Sequence, residues 1–170
     1  MDAYLAIVSK REVRAYAARA LPDDAVRRLL EAGRVAGSSR NRQARRFIAL
    51  RDPALIERAA QTVYAHDNLL GAALAVAIVI RGKGPTGFDA GRAAQNMMLA
   101  AAADGIGSCP NGVADAEALA ALLGHGEDEQ VATVLSFGYP ADPVDAESRT
   151  PEEWIARAGR LPFDEVVELR

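Results

Sequence analysis

The sequence predicts an α+β sandwich, with helices packed around a central sheet, and three observations carry this. Ala72–Ile80 and Val131–Phe137 are runs dominated by apolar and β-branched residues, as strands covered on both faces are. Thr86–Ala103 has helical length and is apolar almost all round. Amphipathic helical segments lie between and around these runs.

The elements follow in order. Residues 2–9 suit a short helix, and Arg14–Ala20 reads as extended. Pro22-Asp23-Asp24 opens a helix, with acids at its positive end. Val26, Leu29, Leu30 and Gly33 continue it at helical spacing, and Gly37 is the expected stop. Residues 38–45 form a polar loop, and Phe47–Leu50 a short strand. Asp52–Tyr64 is expected to be helical, followed by the strand Ala72–Ile80. Thr86 and Asp89 have capping-box spacing ahead of the apolar helix. That helix needs cover on every side, and its alanines suit close approach by a neighbouring subunit. Gln95 and Asn96 within it would then need buried partners. A helix over 114–123, the strand Val131–Phe137 and a stop at Gly138-Tyr139-Pro140 come next. A helix near 151–158 and a final segment Leu161–Leu169 complete the chain.

A length of 170 residues suits a single domain, 1–170, with a full core. The net charge of −3 gives no general attraction to nucleic acid or to an anionic membrane. Charge is unevenly spread, however. From Lys10 through Arg51, twelve Lys or Arg residues stand against four Asp or Glu, which suggests an anionic ligand there. Cys109 is the single cysteine, so no intrachain disulfide forms and a cytoplasmic location is expected. No signal peptide is read at Met1-Asp2, and the apolar run Leu69–Ile80 is too short to span a bilayer.

Familiar catalytic signatures are missing. His66 and His125 lie far apart, and neither has a neighbour at metal-ligand spacing. There is no Walker loop and no nucleophile elbow. Gly105-Ile-Gly107 through Gly112 superficially resembles a dinucleotide fingerprint, but it follows a helix rather than a strand. Cys109, Met97, Met98, Tyr139 and Trp154 read as packing residues. What remains are binders of anions and amides. Lys10, Arg11 and Arg14 sit within five residues and suit a phosphate. Ser38, Ser39, Asn41 and Gln43 place hydroxyls and amides in one loop, where they can read the edge of a heterocycle. Gly107–Gly112 favours exposed backbone N–H groups around Cys109 and Asn111.

These stretches resemble the nitroreductase family. Ser9-Lys-Arg-Glu-Val-Arg14 is similar to its N-terminal motif, usually Arg-x-Ser-x-Arg/Lys. Leu29 through Gln43 resembles the next block, and Phe47-Ile48 the strand after it. Asp89–Gly112 resembles the buried helix and the flavin-contacting loop. Phe137–Pro140 and Arg160–Val167 resemble the C-terminal blocks. The five blocks run in order over nearly the whole chain.

The resemblance implies a three-layer α/β/α sandwich with a mixed central sheet, and a homodimer with an exchanged C-terminal segment. It implies FMN at the subunit interface and NADH or NADPH as electron donor. Lys10, Arg11 and Arg14 would take the phosphate and the pyrimidine edge, with Glu12 in the same motif. Arg160 matches the C-terminal phosphate-binding Arg, with Arg149 as the weaker substitute. Ser38, Ser39, Asn41 and Gln43 would reach the partner's flavin. Pro110, Asn111 and Gly112 would lie over the ring.

The implied reaction is ping-pong: hydride from NAD(P)H, then reduction of a nitroaromatic, quinone or similar acceptor, with no essential side-chain acid or base. The alternatives are a flavin-binding or regulatory protein of the same fold with little turnover, or a specialised flavin-dependent dehydrogenase, dehalogenase or flavin-degrading enzyme. The chain departs from the pattern at Lys10, at Glu12 (expected to turn away or pair with an Arg), and at Ala44-Arg45, where Pro-Trp is usual. It also lacks the long helical insertion of larger members.

Overall fold

The computed structural model describes residues 2–170. Arg11–Pro143 form the larger of two compact units. The smaller joins the N-terminal stretch through Lys10 to Val144–Arg170. In chain order the elements are α1 (Ala3–Ser9), α2 (Asp23–Arg34), β1 (Arg45–Leu50), α3 (Pro53–Ala60), β2 (Leu74–Arg81), α4 (Thr86–Ala103), β3 (Gly107–Asn111), α5 (Ala116–Leu123), β4 (Glu129–Gly138), α6 (Pro151–Ala156) and α7 (Phe163–Val166).

In the larger unit the strands form one sheet in the order β1-β2-β4-β3, antiparallel at every pairing. Among the described residues the parallel component is one isolated bridge, Glu12 to Ser108. Alternation along β2 builds two cores. Leu74, Val76, Ile78 and Ile80 face α2 and α4, while Ala75 and Ala77 face α3 and α5. Large side chains fill one interlayer space, and the alanines let the shorter helices approach on the other face. These layers are those of an α/β/α sandwich. Gly33 lets α2 cross α4 closely: a Cβ there would lie 2.6 Å from Met97 Sδ.

Several expectations are corrected. Helix α2 ends at Arg34, before Gly37, because Arg45 Nη2 donates to the Ala36 carbonyl and Ala36 N–H turns back to Gly33. Helix α3 stops at Ala60 rather than Tyr64. There Thr62 Oγ1 donates to Ala59 O at 2.7 Å, and Val63 leaves to bridge Val113. Arg14–Ala20, read as extended, forms no ladder strand; Tyr16 bridges Pro140, Ala17 N–H donates to Tyr139 O at 2.8 Å and Ala141 N–H to Ala15 O at 3.0 Å. The capping box at Thr86 does not form, because Pro85 holds the N-cap position and Asp89 is used elsewhere. Gly107–Gly112 is mostly strand β3, so β4 holds it in ladder register.

Helix α4 is covered on one side only within this chain. Ala90, Ala93, Ala94, Met97, Met98 and Ala101 are buried, whereas Phe88, Gly91, Arg92, Gln95 and Asn96 are exposed. Gln95 and Asn96 therefore need no buried partner here; Asn96 Nδ2 donates to Ala32 O at 3.3 Å.

In the smaller unit α1 packs on α6. Thr150 and Glu153 form a capping box at α6, and Trp154 is buried with its indole N–H on Ala146 O at 2.9 Å. Among the described residues no helix is long and apolar enough to cross a membrane, and no group of three or more His, Cys, Asp or Glu is placed to hold a metal.

Candidate cofactor-binding site

The basic stretch lies along the edge strand β3. Val13 N–H donates to Ser108 O at 3.0 Å, and Glu12 bridges Ser108. The approach is tight enough to need Gly107, where a Cβ would lie 2.7 Å from Val13 Cβ. Tyr16 fastens the other end. Its hydroxyl sits 2.7 Å from Val13 O and 2.8 Å from Ser136 Oγ. Burial pushes the Tyr16 phenol up to about 12, so it stays protonated. Ser136 Oγ in turn donates to Cys109 O at 3.3 Å. The route from Val13 through Tyr16 to Ser136 and Cys109 fixes Arg11–Arg14 relative to β3 and β4.

Pro110, Asn111 and Gly112 follow on the same strand. Pro110 and Gly112 are exposed. Asn111 is 3 % exposed, and its Nδ2 donates to Cys109 O and Val134 O, each at 3.0 Å. Its side-chain amide braces the strand instead of facing outward. Gly112 O accepts from Tyr64 N–H at 3.1 Å.

The Ser38–Gln43 loop is built differently. A 3-10 turn spans Ser39–Asn41, and Arg40, Asn41 and Gln43 have φ of 52° to 53°. Three non-glycine residues in the left-handed region cost about 1 kcal/mol each. Besides the backbone bonds of the turn, and Arg42 Nη1 donating to Lys83 O at 3.2 Å, these contacts hold this shape. Gln43 N–H donates to Ser38 Oγ at 2.9 Å. Ser39 N–H donates to both Asp89 carboxylate oxygens, at 3.0 and 3.2 Å. Arg45 Nη2 donates to Ala36 O. Asp89 lies in the first turn of α4 and is 7 % exposed.

The two polar stretches are thus fixed to opposite ends of α4. The loop is tied to its N-terminal turn, and the basic stretch to the strand that leaves its C-terminal end. Asp89 and Ala103 are separated by roughly 20 Å along the helix axis.

Lys10 and Arg160 belong to the smaller unit. Arg160 is exposed. Arg149 lies 4.8 Å over the Trp154 ring and 3.3 Å from Ser148 Oγ. Tyr16, Ser136 and Asp89 had no functional signal in the sequence. A capping-box spacing without a cap is the one trace Asp89 left.

The donor set suits a flavin mononucleotide: arginines for a phosphate, hydroxyls and amides for a ring edge. Among the described residues the buried side-chain polar atoms lacking a partner are Arg45 Nε and Nη1, Ser108 Oγ and Asn111 Oδ1. Ser108 is bridged to Glu12 of the basic stretch and Arg45 follows the loop, whereas Asn111 lies farther along β3.

The chain is similar to known proteins in sequence and in fold. The Nitroreductase family model matches residues 7–80 and 86–139. A protein of Archaeoglobus fulgidus, provisionally named NADH dehydrogenase/NAD(P)H nitroreductase, is 32% identical over 149 residues, covering 82% of this chain and 86% of its own. A provisionally named nitroreductase from Desulfovibrio desulfuricans, solved in complex with FMN, superposes with a TM-score of 0.81 at 26% identity, over 100% of this chain and 98% of that one. A nitroreductase family protein from Clostridium difficile 630 shares the fold with a TM-score of 0.83 at 20% identity, over 99% and 98% of the two chains.

Proposed function

Because the chain belongs to the nitroreductase family, we propose that it is a cytoplasmic, homodimeric, FMN-dependent oxidoreductase that takes hydride from NAD(P)H and passes electrons to a nitroaromatic, quinone or similar acceptor. Residues 1–170 act as one flavin-binding domain in this reading. FMN, when bound, supplies the hydride-accepting ring, and the two substrates use one site in turn.

The observation that carries the reading is the attachment of the two polar stretches to opposite ends of α4, with the outward face of that helix uncovered. A second copy related by a two-fold axis across α4 sets the N-terminal end of one helix beside the C-terminal end of the other. The Ser38–Gln43 loop of one subunit then meets Arg11–Arg14 and β3 of its partner. Neither subunit alone assembles both halves. The C-terminal segment, with Leu161, Phe163, Val166 and Leu169 exposed, is the part we assign to exchange between subunits.

The residues divide the work. Arg11, Arg14, Lys10 and Arg160 hold the phosphate and place positive charge near the pyrimidine edge. Ser38, Ser39, Asn41 and Gln43 orient the ring edge across the interface. Pro110 and Gly112 present backbone beside the ring, and Asn111 holds that strand in place. No side chain is assigned as an essential acid or base.

An absorbance spectrum of the purified protein, followed by anaerobic titration with NADH and NADPH, tests this. Flavin bands that bleach with either donor are expected. A colourless protein that cannot be reconstituted with FMN would sink the proposal. A bound flavin that neither donor reduces would leave a flavin-binding protein.

A further inference from the structure

Among the side chains outside the proposed flavin contacts, Asp89 stands out. It is a nearly buried acid on α4 whose two oxygens both accept from one backbone N–H, that of Ser39. The spacing that would make it a helix cap goes unused, so its place is not explained by α4 itself. Its partner lies fifty residues away, at the start of a loop with three left-handed non-glycine residues. Among the other contacts that hold the loop, those from Gln43 to Ser38 and from Arg45 to Ala36 come from its own flanks, and Arg42 Nη1 donates to Lys83 O at 3.2 Å, ahead of α4. Asp89 thus ties the Ser39 amide to the first turn of α4, one turn before Arg92, which lies against Gly37. The residue before it, Phe88, is 71 % exposed on the outward face of that helix.

We propose that Asp89 is a positioning residue that fixes the flavin-facing loop to the dimer helix. Through Ser39 it holds the hydroxyls and amides of Ser38–Gln43 in the one geometry that meets the partner's cofactor. This rests on the reading that the loop faces FMN. A charged acceptor suits the task. Bonds to an ionised carboxylate are stronger than neutral ones, and here they offset the strain of the left-handed residues.

The test uses full-length Asp89→Ala and Asp89→Asn, with Asp24→Ala, an exposed acid on α2, as control. Two quantities are read. The first is hydrogen exchange at the Ser39 amide in FMN-free protein. The second is FMN affinity, by quenching of free flavin fluorescence, together with the visible spectrum of the bound flavin. Asp89→Ala is expected to speed exchange at Ser39 and to weaken FMN binding by about tenfold or more. Asp89→Asn keeps one acceptor oxygen and is expected to recover part of both, which also serves if the alanine variant does not fold. Asp24→Ala should change neither.

Ser39 exchange at the wild-type rate in Asp89→Ala, or FMN affinity within about twofold of wild type with an unaltered spectrum, would overturn the proposal. If the wild-type protein takes up no FMN, it is the functional reading that falls. The exchange measurement then still decides whether Asp89 holds the loop.

Discussion

Tyr16 and Ser136 stand 120 residues apart in the chain and share a hydrogen bond of 2.8 Å between their hydroxyls. The same phenol lies 2.7 Å from the Val13 carbonyl, so one side chain ties the basic stretch to the central strand β4. Tyr16→Phe removes the bond while keeping the ring. A loss of about 1–2 kcal/mol in denaturant unfolding is expected.

Tyr16 also predicts a response to alkali. Burial raises its folded-state value to about 12 from an ordinary 10.0. The folded chain therefore holds this proton more tightly than the unfolded one. Its contribution is complete below pH 10.0 and is lost as pH rises through about 12. Stability curves of wild type and Tyr16→Phe should converge across that window. Parallel curves would remove Tyr16 as the cause.

Glu129 gives the acid-side counterpart. Arg46 makes a paired contact with its carboxylate, at 2.7 and 2.9 Å, and Gly126 N–H donates to it at 2.9 Å. Together they lower it from 4.5 to about 2. The contribution is present above 4.5 and is lost as pH falls toward about 2. Glu129→Gln should flatten the fall in stability over that range, measured by thermal melting at a series of pH values.

Gly107→Ala should act on both the fold and the cofactor. The added methyl meets Val13 Cβ, Cγ1 and Cγ2 at 2.7 to 2.8 Å, and a β-branched side chain against a strand has little room to move. A cost of about 1–3 kcal/mol is expected. Because the displaced segment carries Arg11 and Arg14, FMN affinity should fall as well. Unchanged affinity in a destabilised variant would separate the packing from the phosphate site.

Phe88→Asp tests the subunit arrangement. Phe88 is exposed on α4, with Arg92 5.9 Å from its ring. If α4 is the contact, the charge should shift sedimentation toward monomer and release FMN together. An intact dimer with bound flavin would place the interface elsewhere.

The sequence by itself determined the layers and the chemistry on offer. The β-branched runs became β2 and β4, the alanine-rich segment became α4, and residues 10–14 and 38–43 supplied the cations and amides that we propose bind FMN. These are local properties: periodicity and side-chain type survive without knowing what lies opposite. The tertiary structure decided what long-range contacts decide. It placed Asp89 under Ser39, turned the Asn111 amide into the sheet, made strand out of an expected loop at Gly107, and buried Tyr16 against Ser136. It also left α4 covered on one side, where the sequence asked for cover all round. None of these has a periodic signature, because each depends on which distant backbone group arrives within hydrogen-bond reach, and only the packed layers fix that.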